Sequence, residues 1–308
     1  MPKIRIAVLM STYNGERFLC EQIDSILSQE GDFELSVFIR DDGSTDHTIS
    51  ILQSYQYHSC VDVIYGNNIG VNASLMDLIN HIDTLYDYYS ISDQDDVWYK
   101  YRLQTAINYL KGHEQQVSLW SCMEELADQE MKVYASLPLP KHLGEFYNAM
   151  LQNKTPGHTQ VFNQKLFELL RGYPASKMYL YDRVIYMIAC AFGQVLYAER
   201  SCGRYRQHTS NEMGFDHNNW KVFLHRIKVF MGGQFEENAK QLKFFSEYYA
   251  DRLDMKIIKE IESFLYSRQT FLNRVRYSIN TKVICDSRLE LLFFRVAYVL
   301  GAFGEDIG

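Results

Sequence analysis

Three carboxylates fall within four residues in the stretch Ser92-Asp93-Gln94-Asp95-Asp96-Val97-Trp98. Charge this dense is costly unless a counter-charge meets it, and a hard divalent cation bound through carboxylate oxygens is one way of meeting it. A solvated acidic turn is the other reading of an isolated Asp-x-Asp. Two further clusters carry groups suited to binding, Ser11-Thr12-Tyr13-Asn14-Gly15 and Asp41-Asp42-Gly43-Ser44-Thr45-Asp46. Farther on stand Asn72, Asp182 and the basic run Gly203-Arg204-Tyr205-Arg206-Gln207-His208.

The elements that must position these groups follow from hydrophobic periodicity. Ile4–Met10, Glu34–Arg40, Val61–Tyr65 and Tyr88–Ser92 are short β-branched or aromatic runs, each of strand length. Between them, apolar residues recur at helical spacing: Phe18, Leu19, Ile23, Ile26 and Leu27; then Ile49, Ile51 and Leu52; then Leu75, Met76, Leu78 and Ile79. Ser44 or Thr45 is expected to cap the second of these helices. Four strands alternate with three helices in under a hundred residues, which predicts an α/β fold with a mainly parallel sheet flanked by helices. Parallel strands bring the clusters at Ser11, Asp41 and Asp93 to one edge of the sheet, where ligands of such folds bind. That convergence favours a site over a solvated turn.

The middle of the chain is less regular. Val117–Cys122 and Val195–Ala198 read as strands, Lys132–Leu137 as a further, antiparallel one, and Val184–Phe192 as a buried helix preceded by Tyr181-Asp182. Cys202–Asn211 reads as a polar, basic segment. From about Phe215 apolar and basic residues interleave at helical spacing, as in Trp220–Phe230, and a Gly232-Gly233 break follows. The net charge is −9 over residues 1–214 and +2 over 215–308. We therefore expect a catalytic domain over residues 1–212 and a helical C-terminal region over 213–308 that lies on a membrane interface or packs against a second copy.

Composition narrows the classes. The 308 residues suffice for a large core, and a net charge of −7 argues against nucleic-acid binding. None of the six cysteines forms a C-x-x-C pair, which argues against zinc and fits a reduced, cytoplasmic chain. No apolar stretch reaches the length of a membrane span. The most apolar, Leu289–Phe303, is interrupted by Glu290 and Arg295.

Taken in order, Val8–Gly15, Asp41–Asp46, Asn68-Ile69-Gly70-Val71-Asn72 and Ser92–Trp98 resemble the motifs of family-2 glycosyltransferases with the GT-A, Rossmann-like fold. The Asp-Gln-Asp-Asp-Val-Trp form, with Tyr205-Arg206-Gln207-His208 and Ser210-Asn211 downstream, is similar to a bacterial rhamnosyltransferase-type branch. The likeness covers about residues 3–212. It implies an inverting enzyme that moves a sugar from a dTDP- or UDP-sugar donor, with rhamnose from dTDP-rhamnose expected first and UDP-hexoses next. The implied acceptor is a growing surface polysaccharide, lipid-linked and met at the cytoplasmic face of the membrane.

The resemblance also implies roles. Asp95, with Asp93 or Asp96, would supply carboxylate to a Mn2+ or Mg2+ ion on the donor diphosphate, and His208 would complete that site. Asp93 would bind the donor, and Arg204 and Arg206 are candidates for pairing with its phosphate oxygens, with solvated arginines as the alternative. Ser11, Thr12, Tyr13, Asp41 and Asp42 would hold the nucleoside, with Tyr13 stacking on the base and Asp41 or Asp42 accepting its ring N–H. Asn72 would lie near the donor sugar, and its local alternative is a helix cap. Asp182 would be the base that deprotonates the acceptor hydroxyl.

The chain departs from its relatives in two places. Tyr181-Asp182-Arg183-Val184 stands where many read His-Asp-Trp-Trp, and Gly157-His158 where they often read Gly-Cys. Arg183 could lower the pKa of Asp182 or bind an anionic acceptor. These changes leave room for a non-catalytic, sugar-nucleotide-binding or scaffolding relative. A nucleotidyltransferase would want a glycine-rich, basic first loop, and Ser11–Gly15 has one glycine and no lysine.

Overall fold

The computed structural model describes residues 3–208 and 234–304. Within them β1 (Ile4–Thr12), α1 (Leu19–Leu27), β2 (Phe33–Asp41), α2 (Thr48–Tyr55), β3 (Val61–Tyr65), α3 (Val71–His81) and β4 (Tyr88–Ser92) alternate as expected. β5 (Val97–Trp98), α4 (Arg102–Leu110), β6 (Val117–Ala127) and β7 (Val133–Ser136) follow. Next come α5 (Phe146–Ala149), β8 (Val161–Asn163), α6 (Gln164–Leu170), α7 (Tyr181–Phe192) and β9 (Gly193–Arg206). The C-terminal helices are α8 (Gln234–Tyr248), α9 (Met255–Tyr266), α10 (Phe271–Asn280) and α11 (Arg288–Val299). The Ser210-Asn211 motif, the Trp220–Phe230 pattern, the Gly232-Gly233 break and the 212/213 boundary lie outside the described residues.

The strands form one sheet in the order β3-β2-β1-β4-β8-β6-β9-β5, with β7 on β6. The first four are mutually parallel, while β8 runs antiparallel to both β4 and β6. Buried on both faces, β1 divides its side chains between two cores. Ile6, Val8 and Met10 join α1 and α4 on one face, whereas Ala7 and Leu9 join α3, α6 and α7 on the other. Ala239, Leu242, Phe245, Ile261, Phe264, Phe294 and Tyr298 of the C-terminal helices enter that second core.

Register fixes the edge that matters. Met10 pairs with Ser92, and Thr12 with Asp41, so β1, β2 and β4 release their chains side by side. Gly43 makes the turn after β2 at φ +78, and a Cβ there would lie 2.8 Å from the Asn68 nitrogen. Only glycine accepts both conditions without strain.

Two expectations need correction. β9 runs from Gly193 to Arg206 and takes in the first half, Cys202–Arg206, of the stretch read as a polar segment. Its polar residues are held by pairing to β6 on one side and to β5 on the other. Neither Ser44 nor Thr45 caps α2. The Asp46 carboxylate accepts the Thr48 N–H at 2.9 Å, and the Ser44 hydroxyl accepts the Asn14 N–H instead.

Candidate active site

The first loop is tied to the acidic stretch through Gln94. Its Oε1 accepts from the Thr12 hydroxyl at 2.6 Å and the Tyr13 N–H at 3.0 Å, while its Nε2 donates to the Tyr13 carbonyl at 3.2 Å. Asn14 then joins the second loop by accepting the Thr45 N–H. Three strand-end loops are thereby locked together, and the Tyr13 ring stands 44% exposed at their rim. An exposed aromatic on a fixed loop is equipped to stack on a planar base. Ser11 is turned the other way, its hydroxyl donating to Ser74 at 2.6 Å.

The paired aspartates differ. Both oxygens of Asp42 are engaged: it accepts from Arg40, from the Ile69 N–H at 3.0 Å and from the Gly70 N–H at 2.9 Å. It closes the loop ahead of α3. Asp41 uses Oδ2 for the Gly43 and Ser44 amides, and its Oδ1 is buried without a hydrogen-bond partner. Between the two, Asp41 has an acceptor to spare.

The three acidic side chains point in two directions. Asp95 Oδ2 meets His208 Nε2 at 2.7 Å, and the His208 ring rests 5.1 Å from that of Phe18. Asp93 and Asp96 turn toward His158 instead, and one ligand atom from each of these three lies within 4.8 Å of the others. Asp95, Asp96 and His208 thus do not meet as one group of ligands; Asp96 belongs with His158. The sequence marked His158 only as a departure on the acceptor side.

His158 is buried, 3.6 Å from Asp93 and 3.2 Å from Glu124 (an ion-pair distance without hydrogen-bond alignment), and it stacks on Tyr205 with centroids 4.4 Å apart. Burial alone pushes its pKa down, but Asp96, Glu124 and Asp93 together outweigh that and raise it. Asp96 is pushed up by burial against the pull of His158, with Asp95 and Asp93 adding to the rise. Its Oδ2 is buried and lacks a hydrogen-bond partner. A buried, unsatisfied carboxylate oxygen inside a group of oxygen and nitrogen donors is the condition a divalent cation relieves, so these residues fit one.

The basic run has a different role from the expected one. Arg206 is 2% exposed; its guanidinium donates to Glu21 and to the carbonyls of Asp95 and Gln129, and lies over Phe18. Its own N–H donates to Asp96 Oδ1 at 3.1 Å. It fixes the acidic loop from behind and is no partner for a phosphate. Arg204 donates to the Tyr99 hydroxyl at 3.2 Å and the Met131 carbonyl at 3.3 Å.

Asn72 does not cap α3, whose N-cap is Gly70, and both ends of its amide are engaged. Its Nδ2 donates to the carbonyls of Met178 at 3.0 Å and Tyr179 at 3.3 Å, and its Oδ1 accepts the Tyr181 N–H at 3.0 Å. It anchors the chain just before Asp182, the second residue of α7. The Gln160 side chain donates to the Asp182 carbonyl at 2.8 Å, a second anchor on the same turn. Asp182 as a residue is partly exposed, yet its Oδ1 is buried and lacks a partner. Burial pushes its pKa up to about 6, against the lowering pull of the Arg183 and Gly157 amides and of His158. A carboxyl tuned toward neutrality beside an acidic loop is suited to proton transfer.

The two departures from the family pattern prove to be spatial neighbours. A Cβ on Gly157 would fall 2.2 Å from the Tyr181 hydroxyl, so the glycine makes the space the phenol fills. That hydroxyl makes a long, 3.5 Å contact to Asp93 Oδ1. Arg183 is buried and donates to the Ala149 and Met150 carbonyls, which removes it from any acceptor pocket. The sequence did not single out Gln94, Glu124 or Phe18. Only Gln94 had a visible signal, its place inside the acidic motif.

Known proteins resemble this chain in sequence and in fold. Residues 7–171 match the family described as Glycosyl transferase family 2. A dTDP-rhamnosyl transferase, RfbG of Shigella flexneri, is 30% identical over 217 residues, covering 67% of this chain and 73% of its own. Putative glycosyltransferase EpsE of Bacillus subtilis is 32% identical over 143 residues, which span half of that protein. Among solved structures, S. aureus TarS 1-349 superposes with a TM-score of 0.59 at 15% identity, over 97% of this chain and 81% of that one. The mannosyltransferase PcManGT from Pyrobaculum calidifontis, in complex with GDP-Man and Mn2+, gives 0.53 at 16% identity, over 98% and 86%. At such identities these structures speak for the GT-A fold alone. With the matched family, the tied strand-end loops and the Asp93–Asp96 stretch in agreement, the chain belongs to glycosyl transferase family 2, on its rhamnosyltransferase-like branch, and is a glycosyltransferase.

Proposed function

We propose that this enzyme transfers a sugar with inversion from a nucleoside-diphosphate donor to a growing bacterial surface polysaccharide. The observation that carries the reading is the joining of Tyr13, Asp41 and the Asp93–Asp96 stretch at one sheet edge, with Asp182 anchored next to them. Tyr13 stacks on the base, and Asp41 Oδ1 accepts its ring N–H. Asp182 takes the acceptor hydroxyl proton as the oxygen attacks the anomeric carbon from the face opposite the departing diphosphate. The Asp93–Asp96 stretch with His158 or His208 would hold a Mn2+ or Mg2+ ion, which would supply charge compensation to that leaving group. Gln94, Arg206 and Asn72 keep the reacting groups in register before substrate arrives.

dTDP-rhamnose is the first donor to test, because the S. flexneri relative bears that name. UDP-hexoses come second, since TarS is known in complex with UDP-GlcNAc. A lipid-linked acceptor places the work at the cytoplasmic face of the membrane, with the residues up to about 212 as the catalytic part. Among the described residues no helix is long and apolar enough to cross a bilayer. The deciding experiment is a thermal-shift and hydrolysis panel of dTDP- and UDP-sugars with and without Mn2+. Stabilisation and slow hydrolysis with dTDP-rhamnose are expected. If no sugar nucleotide is bound or hydrolysed, the proposal is wrong; binding without any turnover points to a scaffold.

A further inference from the structure

Helix α11 is apolar on two opposite faces. Phe294, Ala297 and Tyr298 are buried against the core. Leu289, Leu292, Val296 and Leu300 recur at intervals of three and four on the other side, within an arc of about 80° at ~100° per residue. All four are exposed, Leu289 by 72% and Leu300 by 68%. Helix α10, packed beside α11, carries Phe271, Leu272 and Ile279 outward, Leu272 by 78%. A groove of about 230 Å³ between the two helices is lined by Ser278 of α10 and by Arg295, Val296, Val299 and Leu300 of α11. Scattered exposed leucines need no explanation, but four apolar side chains in one arc of a helix, beside a second helix that exposes three more, mark an interaction surface.

Charge selects the occupant. Helices α10 and α11 themselves hold four arginines against one glutamate, a net +3, and the whole stretch 271–308 carries +1 in a chain whose total is −7. On the helical wheel Arg288 flanks the α11 stripe on one side, and Arg276 flanks that of α10, while Arg295, its Nε buried, lines the groove between the helices and Glu290 lies on the far side of α11. A basic-edged apolar face repels a copy of itself and complements an anionic surface. Apolar side chains a helix-face deep, edged by arginines, match the acyl–headgroup boundary of an anionic bilayer.

We propose that the α10–α11 face docks the enzyme on an anionic lipid surface. The inference gains its purpose from the lipid-linked acceptor proposed above, but its physical basis is separate. Membrane contact here falls on a described face of the C-terminal helices, apart from the Trp220–Phe230 pattern.

The test is co-sedimentation of the full chain with vesicles of phosphatidylcholine alone and of phosphatidylcholine with phosphatidylglycerol. The wild type is expected to pellet with the second and stay in solution with the first. L289Q/L292Q alters only exposed side chains, and it is expected to weaken binding roughly tenfold or more as apolar insertion is lost. R276E/R288E is expected to weaken it by a similar factor and to abolish its salt dependence. Indifference of the wild type to anionic vesicles overturns the proposal, as does undiminished binding of both variants. A dimer in light scattering that L289Q/L292Q dissolves overturns it in favour of a second copy. Donor titration on the same proteins reads the active site independently: vesicle binding without any sugar-nucleotide binding sinks the transferase proposal alone.

Discussion

Asn72 Oδ1 accepts the Tyr181 N–H at 3.0 Å, joining the first turn of α3 to the residue before Asp182 across 109 positions of sequence. The same amide donates to the Met178 and Tyr179 carbonyls. One side chain thus ties a helix opened by the strand-end loops to the helix that carries the proposed base. Such a link acts on the reaction through orientation, because small misplacements of a base cost large factors in rate.

Asn72→Ala is therefore expected to lower kcat tenfold or more while leaving the donor Kd within about twofold. Three lost hydrogen bonds should also cost about 1–3 kcal/mol of stability. Isothermal titration with the nucleotide sugar, set beside turnover and thermal unfolding, checks this. A weakened donor Kd with unchanged kcat would instead put Asn72 in contact with the sugar.

Asp182 must be ionised to act as a base, and its pKa is pushed up to about 6. The rate should climb as pH rises through about 6 and level above it. Asp182→Asn should remove that limb along with about a hundredfold or more of the rate. Stability moves the opposite way. With the folded value above the ordinary 3.8, the native state binds more protons between the two values, so the wild type loses stability as pH rises from about 4 to about 6. The Asn variant escapes that loss and should be more stable by about 1–2 kcal/mol at pH 8, and by none at pH 3, once partial solvent screening is allowed for. Unfolding curves at the two pH values separate the outcomes.

Gly157→Ala should destabilise by about 1–3 kcal/mol, because the new methyl group meets the Tyr181 ring and hydroxyl inside van der Waals range. Tyr181→Phe keeps the ring that fills the glycine's space and removes the hydroxyl with its long contact to Asp93, so it should lower the melting temperature less than Gly157→Ala. If Gly157→Ala melts like the wild type, the ring is free to move and the fit of glycine to phenol is not a constraint.

Mn2+ at about a hundred times its Kd should stabilise the protein by about 2.7 kcal/mol. Because Asp93 and Asp95 reach different histidines, Asp93→Asn and Asp95→Asn distinguish the two arrangements. Loss of the Mn2+ shift in the first assigns the ion to the His158 side, and loss in the second to the His208 side. Chelation with EDTA should stop transfer and be reversed by added Mn2+.

The sequence by itself determined the alternating strands and helices up to β4, since each is encoded by the local periodicity of its own apolar residues. It also determined that Tyr13, Asp41 and Asp93 would share an edge, because parallel strands leave no other arrangement. Which oxygen faces what was beyond it. The roles of Asp41 and Asp42 divide because Arg40, Ile69 and Gly70 engage both oxygens of Asp42, while one oxygen of Asp41 is left without a hydrogen-bond partner. Asp96 turns to His158, and Asp95 to His208, according to partners 62 and 113 residues away. Arg206 is drawn under the acidic loop by Glu21 and Phe18 from the far end of the chain. β9 is held as a strand by β6 and β5 rather than by its own pattern. Periodicity is a local property and loop side-chain direction is not, so tertiary packing alone decided which charges meet.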